Sequence, residues 1–271
     1  MDWTQIILLI GLGFLVGFIG TLIGAGGGFI LVPVLLIIFP LLKPEAITSI
    51  SLGVIFLNAG SGSIAYARMK RIDYRSAFFF SLSTLPGAIM GAFLTSYIPR
   101  STFNLLLGTL LVIISLFLLT KPHYRRVVDK NGKSNFVHRT LTDNKGHKYT
   151  YSFNLWTGII LSFFVGYLSS FLGIGGGIIH VPALTTLLDF PIHIATATSH
   201  LILAIMALAG TIVHIYQGNL KDSWLTMLLI GGGVIGGAQL GAYYSHHVRP
   251  GVIISLLAIA LLLVGIRIIF M

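Results

Sequence analysis

Long apolar runs alternate with short polar interruptions along the whole chain, at lengths set by the thickness of a bilayer. Runs near the twenty residues that a crossing helix needs fall at Ile47 to Ala67, Ala77 to Tyr97, Phe103 to Thr120, Ile192 to Tyr216, Trp224 to Tyr244 and Val252 to Met271. Two longer runs, Ile6 to Phe39 and Phe153 to Leu188, are each interrupted by glycines, Gly24-Ala25-Gly26-Gly27-Gly28 and Gly173-Ile174-Gly175-Gly176-Gly177. The pattern predicts an all-α integral membrane protein with about eight transmembrane segments. They divide into two four-segment repeats, 1–120 and 152–271, joined by a polar linker over 121–151, and the first segment of each repeat is broken at its glycine stretch.

The repetition is legible residue by residue. Leu15 to Pro33 returns as Phe164 to Pro182, with Gly17 and Gly166 149 positions apart. Thr48 and Thr196, like Gly62 and Gly210, are 148 apart, and Gly87 and Gly237 are 150 apart. Drift confined to the connections between spans is what a duplication leaves. Gly13, Gly17 and Thr21, or Gly158, Ser162, Gly166 and Ser170, keep the four-residue spacing of small residues that lets membrane helices pack closely.

The consecutive glycines ask for more than packing. Each disfavours helix by about 1 kcal/mol, so the helix should break and restart near Phe29 and Ile178. A restart exposes unpaired N–H groups and about half a positive charge, which can hold an anion without a buried lysine or arginine. Irregular backbone at membrane depth persists only where protein or a water-filled cavity receives it, and matched breaks in two repeats point to a binding site. Gly26, Gly27, Gly28, Gly175, Gly176 and Gly177 are therefore candidate substrate-binding residues. At 1.5 Å per residue, Ile6 to Ile23 spans roughly 27 Å and Phe29 to Phe39 roughly 16 Å. If the second piece dips back, the repeats are inverted; if the pair makes one crossing, they are parallel.

Composition narrows the class. The chain is 55% apolar and 9% charged, and it has no cysteine, which excludes disulfides and thiol chemistry. Asp2 stands where a signal peptide would carry basic residues, so the first run reads as a retained span. The net charge of +10 gathers in two places. Lys121 to Tyr151 holds eight basic residues against two acidic, and Arg68, Lys70, Arg71 and Arg75 surround Asp73. The positive-inside rule puts both clusters in the cytoplasm, and neither has the interleaved aromatics that nucleic-acid binding would want. Within the linker, Asn131-Gly132 and Asp143 to Gly146 flank or separate alternating runs, Phe136 to Thr142 and His147 to Phe153, which read as a small β-hairpin.

The remaining chemistry lies in uncharged groups inside the spans. Ser51 aligns with Ser199, and Thr198 adjoins it. Asn58 and Gln239 carry amides with four hydrogen-bonding sites each, and all five join the candidate substrate-binding set. His200 and His214, fourteen residues apart, share a helix face, and His180 follows the second break. These are proton-coupling candidates; for His200 a core histidine bonded to a carbonyl is the equal alternative, and His214, near a helix end, reads rather as structural or interfacial. No catalytic constellation, metal site or cofactor motif can be assembled.

The duplicated Gly-x-Gly-Gly-Gly break followed by Val32-Pro33 and Val181-Pro182, the stretch Ile194-Ala195-Thr196-Ala197-Thr198-Ser199, and Gly210, His214 and Gly218 at four-residue spacing resemble the TauE/SafE family of sulfite exporters. The likeness covers both halves. It implies a multi-pass cell-membrane carrier that exports or imports small sulfur-containing anions such as sulfite, sulfoacetate or other organosulfonates. The residues themselves suit alternating access with the anion between the two glycine breaks, either coupled to protons through His200 or as an uncoupled uniporter. His200 and the degenerate first-half stretch Ile47-Thr48-Ser49-Ile50-Ser51 depart from the pattern. An anion channel and a non-transporting membrane assembly or scaffold protein are the alternatives.

Overall fold

A computed structural model describes residues 2–120, 136–245 and 250–270. Ten helices and one hairpin follow in order: α1 (Trp3–Ile23), α2 (Gly28–Ile38), α3 (Pro44–Arg68), α4 (Tyr74–Thr95), α5 (Arg100–Thr120), β1 (Phe136–Thr142), β2 (Lys148–Asn154), α6 (Leu155–Leu172), α7 (Gly177–Leu187), α8 (Ile192–Tyr216), α9 (Trp224–Tyr244) and α10 (Pro250–Ile269). Among the described residues, seven of them, α1, α3, α4, α5, α6, α8 and α9, are long and apolar enough to cross a membrane. The eight expected segments are all present as helix, with both breaks at the glycines. The linker's Lys121, Arg125, Arg126, Lys130 and Lys133 and the Asn131-Gly132 turn lie outside the described residues.

Local chemistry sets the helix ends. Pro44 opens α3 at a position where its missing N–H costs nothing. Asp73 accepts from Ser76 N–H at the start of α4, and Asn154 accepts from Trp156 and Thr157 N–H at the start of α6. Gly24 and Gly173 end α1 and α6 at positive φ, 85° and 67°, a conformation that side chains disfavour. The hairpin is antiparallel, with Thr142 opposite Lys148 and Phe136 opposite Asn154. Large apolar side chains such as Ile7, Leu8, Leu15, Phe78, Leu82 and Phe164 are exposed on the outside, as a lipid-facing surface requires.

Packing crosses between the halves. α1 lies on α9, and in the same manner α6 lies on α4. At both seams glycines bring backbone against backbone. A Cβ on Gly17 would sit 2.6 Å from Val234 O, and one on Gly166 would sit 2.5 Å from Thr84 O. Gly237 faces Phe14 O with even less room, whereas Gly236, one residue earlier, has only a Phe14 side-chain atom at 3.9 Å. Gly237→Ala is therefore expected to cost about 1–3 kcal/mol through overpacking, while Gly236→Ala stays near neutral; thermal unfolding in detergent checks the pair.

The contacts also fix direction. Along the α1–α9 seam Gly13 meets Ile230, Gly17 meets Val234, and Phe18 meets Gly241, so the two helices run in the same sense. On the α4–α6 seam Gly87 meets Phe163 and Gly91 meets Tyr167, again in the same sense. α3 and α8 are antiparallel, since Gly62 faces His200 while Leu52 faces Gly210. α3 runs with α9, because Gly53 meets Met227 and Ser61 bonds Ile235 O. α4 runs with α8, with Asp73 beside Thr198 and Ser96 beside Gln217. Two bundles result, α1–α3–α9 and α6–α8–α4, which exchange helices between halves and run in opposite senses. Each first-half member thus opposes its second-half counterpart.

The broken segments turn back. Arg100, at the start of α5, donates to Leu42 O and Leu36 O, which places the end of α2 at the membrane face where α1 begins. Phe190, after α7, packs on Tyr151 and Phe153 of the hairpin at ring separations of 4.5 and 4.8 Å, beside the start of α6. Of the two topologies the sequence leaves open, the helix senses match the one in which the second piece dips back.

Candidate functional site

The breaks meet each other. Gly28 lies against Ile174, where an added Cβ would be 2.6 Å from the carbonyl carbon, and Gly177 lies against Gly24 and Ala25, at 2.5 Å from Gly24 O. All residues from Gly24 to Phe29 and from Gly173 to Ile178 are buried. Ile55 of α3 and Leu203 of α8, 148 positions apart, wall the meeting point.

Backbone bonding shows which groups the breaks leave over. In the first, Gly20 O accepts from Ala25 and Gly26 N–H, and Gly27 O accepts from Ile30 and Leu31 N–H. The N–H groups of Gly28 and Phe29 have no acceptor among the described residues. In the second, Gly176 O accepts from Ile179 and His180 N–H, and the N–H groups of Gly177 and Ile178 are likewise free. Two restarted helices, α2 and α7, therefore open with unpaired donors and positive dipole ends inside the protein.

A chain of side chains adjoins the first break. Tyr66 OH donates to Thr21 O at 2.8 Å, Thr21 Oγ1 donates to Asn58 Oδ1 at 2.9 Å, and His200 Nε2 lies 3.4 Å from Thr21 Oγ1. Asn58 Nδ2, His200 Nδ1 and Ser199 Oγ are buried and have no hydrogen-bond partner among the described residues. At the second break Ser51 Oγ donates to Gly173 O at 2.6 Å, and Ser169, whose Oγ is also unpartnered, borders Gly176.

The other candidates lie elsewhere. Thr198 accepts from Asp73 N–H at the hairpin face. Gln239 donates to Ser61 O and Ser61 Oγ, clamping α9 to α3. His180 contacts Ser162 Oγ at 3.2 Å and the ring of Phe80. His214 lies between Thr48 Oγ1 and Asn219 Nδ2 near the opposite face. Thr21 and Ser170 stand in the sequence as packing residues and Ser169 falls outside that spacing; only their positions in the fold mark them as polar lining.

At the hairpin face Asp73 accepts from Tyr151 OH at 2.7 Å and lies 3.7 Å from Arg139 Nε. Asp143, in the hairpin turn, accepts from Lys145 and His147 N–H and faces Arg71. Burial opposes the charge of Asp143, yet the His147 and Lys145 N–H groups and the His147 ring hold its carboxyl below the usual range. Burial first, and then the neighbouring Asp73, push the Tyr151 phenol up, so it stays a donor. No cluster of three or more histidine, aspartate or glutamate side chains able to hold a metal occurs among the described residues.

Comparison with known proteins bears on what this arrangement serves. The model of the family described as sulfite exporter TauE/SafE matches residues 9–268. The probable membrane transporter protein YunE of Bacillus subtilis (strain 168) is 33% identical over 270 residues, covering 97% of each chain. A probable membrane transporter protein of Xylella fastidiosa (strain 9a5c) is 29% identical, covering 88% of this chain and 84% of its own, and YdhB of Bacillus subtilis, of the same description, is 26% identical over 97% of this chain and 100% of its own. No solved structure matches the chain. With nearly its whole length matched, the chain is a multi-pass membrane transporter, not an enzyme, and belongs to the sulfite exporter TauE/SafE family.

Proposed function

We propose that the protein carries small sulfur-containing oxyanions, such as sulfite, sulfoacetate and other organosulfonates, across the cell membrane by alternating access. The observation that carries this reading is the meeting of two helix restarts whose N–H groups lack acceptors, beside the unpartnered donors Asn58 Nδ2 and Ser199 Oγ. A sulfonate or sulfite spreads its charge over three oxygens, which suits several convergent N–H and O–H donors better than one point charge. Gly26, Gly27, Gly28, Gly175, Gly176 and Gly177, with Ser51, Asn58 and Ser199, form the anion site, and Thr198 and Gln239 hold the helices that frame it.

The two bundles supply the moving parts. As two inverted four-segment repeats with exchanged helices, α1–α3–α9 and α6–α8–α4 rock about the α3–α8 contact and expose the breaks to one face and then the other. The basic hairpin face is cytoplasmic by its charge. His200, one hydroxyl away from the first break, is the proton-coupling residue, whereas His180, in the first turn after the second break, is engaged by Ser162 and Phe80, and His214 lies near a membrane face.

Purified protein in proteoliposomes, loaded with sulfoacetate and offered external labelled sulfoacetate or sulfite with and without a pH gradient, tests this. Saturable counterflow is expected. Flux that grows linearly with concentration would mean a channel, and absence of flux for every sulfur oxyanion would favour a scaffold.

A further inference from the structure

Arg71 is a buried cation whose fork is largely unused. Its side chain is 5% exposed, and its Nε and Nη1 have no hydrogen-bond partner among the described residues. Its Nη2 lies 3.6 Å from Asp143 Oδ2, an ion contact too long for a hydrogen bond. Asp143 Oδ1 accepts from Lys145 N–H and His147 N–H, and Oδ2, the oxygen that faces Arg71, is shared with Tyr149 OH and the His147 ring. Burying a guanidinium with two of its three nitrogens unbonded is costly, so the position calls for a further oxyanion.

Location says which one. Arg71 N–H bonds Tyr66 O, and the phenol of the same tyrosine reaches Thr21 O at the first break. A single tyrosine therefore separates Arg71 from the anion site, on the side covered by the hairpin. The cover is held by Asn144 N–H on Met69 O, Tyr151 OH on Asp73, and Asp143 itself, whose side chain is fully buried.

We propose that Arg71 is the receiving residue for a sulfonate or sulfite entering or leaving at the hairpin face, and that Asp143 is a tethered carboxylate that occupies its neighbourhood when no anion is there. The proposal rests on the transport reading for the identity of the anion. The guanidinium plane presents paired N–H groups to two oxygens of a sulfonate at once, a match the crowded Asp143 carboxylate does not make. Arrival of the anion releases Asp143 and the turn end of the hairpin, around Asn144, lifts while Tyr151 and Phe153 stay packed on Phe190; departure lets it return. The hairpin is then an anion-operated lid and not an inert connector.

The natural chain lacks cysteine, so spin labels on Asn144→Cys and Tyr74→Cys report hairpin position in the full-length protein without background. In phosphatidylcholine vesicles, sulfoacetate is expected to add a longer interspin distance. Asp143→Asn keeps the turn's amide acceptor and loses the charge, and it is expected to show that distance without ligand and to lower the half-saturating sulfoacetate concentration by about tenfold, as removal of a tethered competitor does. Arg71→Lys, which keeps the charge and loses the fork, is expected to fold, keep the short distance and no longer respond to sulfoacetate. An unchanged response in Arg71→Lys, or a wild-type hairpin that stays fixed while sulfoacetate flux is normal, overturns the proposal. A hairpin that lifts only when phosphatidylglycerol is present, with no response to sulfoacetate, assigns Arg71 to lipid headgroups and also overturns it. A sulfoacetate response without any flux would sustain the Arg71 site and refute the transport reading.

Discussion

Gly177→Ala should abolish anion flux, lowering the initial rate at least a hundredfold while some folded protein still reaches the membrane. The added methyl would sit 2.5 Å from Gly24 O and 2.6 Å from Ala25 Cα, both of them backbone, and backbone cannot rotate away as a side chain can. The breaks must separate by a few tenths of an ångström or more, which costs about 1–3 kcal/mol as overpacking and displaces the N–H groups of the second restart from those of the first. Misplacing a binding group by about 1 Å can alone cost a hundredfold where geometry governs the rate. Gly60→Ala and Gly232→Ala are the controls, since a Cβ at either meets nothing within 4 Å. Equal flux in Gly177→Ala and Gly60→Ala would remove the breaks from the transport path.

Asn58→Ala is expected to raise the half-saturating concentration of sulfoacetate by ten- to a hundredfold, equivalent to about 1–3 kcal/mol for loss of a donor to a charged acceptor. Two effects act together. The free Nδ2 donors disappear, and Thr21 Oγ1 loses its acceptor and can turn to His200, altering the neighbourhood of the first break. Gln239→Ala separates this from a general loss of packing. The Gln239 amide is already engaged by Ser61, so its removal is expected to lower thermal stability and leave the half-saturating concentration within about twofold, as for a group whose loss leaves ligand binding untouched. Counterflow titrations on the two variants decide between the roles; a larger shift in Gln239→Ala than in Asn58→Ala would reverse them.

Much of the fold is written in the hydropathy pattern because lipid enforces it. Segment length and the two breaks each follow from a local rule and are found where that rule puts them, and the hairpin's second strand, expected over His147 to Phe153, runs Lys148–Asn154. Direction is different. Hydropathy has no sense along the chain, and the few Lys and Arg residues outside the two basic clusters do not choose between a dipping and a crossing second piece. Only contacts such as Gly13 with Ile230 and Phe18 with Gly241 reveal which helices run together.

The site divides along the same line. The glycine breaks stand out in the sequence because their composition is improbable for a helix. Which polar side chain ends without a partner depends on what the fold sets opposite it, so two amides that look alike, Asn58 and Gln239, differ completely in bonding. Thr21 keeps the spacing of a packing residue and is one, but its hydroxyl also links Asn58 to His200. Arg71 and Asp143 read as parts of solvated basic segments, and both are buried because the hairpin folds back over them.

The exchange of helices between halves also sets a problem of timing. α1 emerges first during synthesis, yet the surface it packs on belongs to α9, more than two hundred residues later. Until then Gly13 and Gly17, which meet Ile230 and Val234 in the finished fold, face lipid or a provisional neighbour. α4, by contrast, receives α6 soon after the hairpin is made. Assembly should therefore be completed from the middle of the chain outward, with the first-made helix among the last to find its place, and a chain terminated before Trp224 leaves α1 as an orphan for membrane quality control to remove.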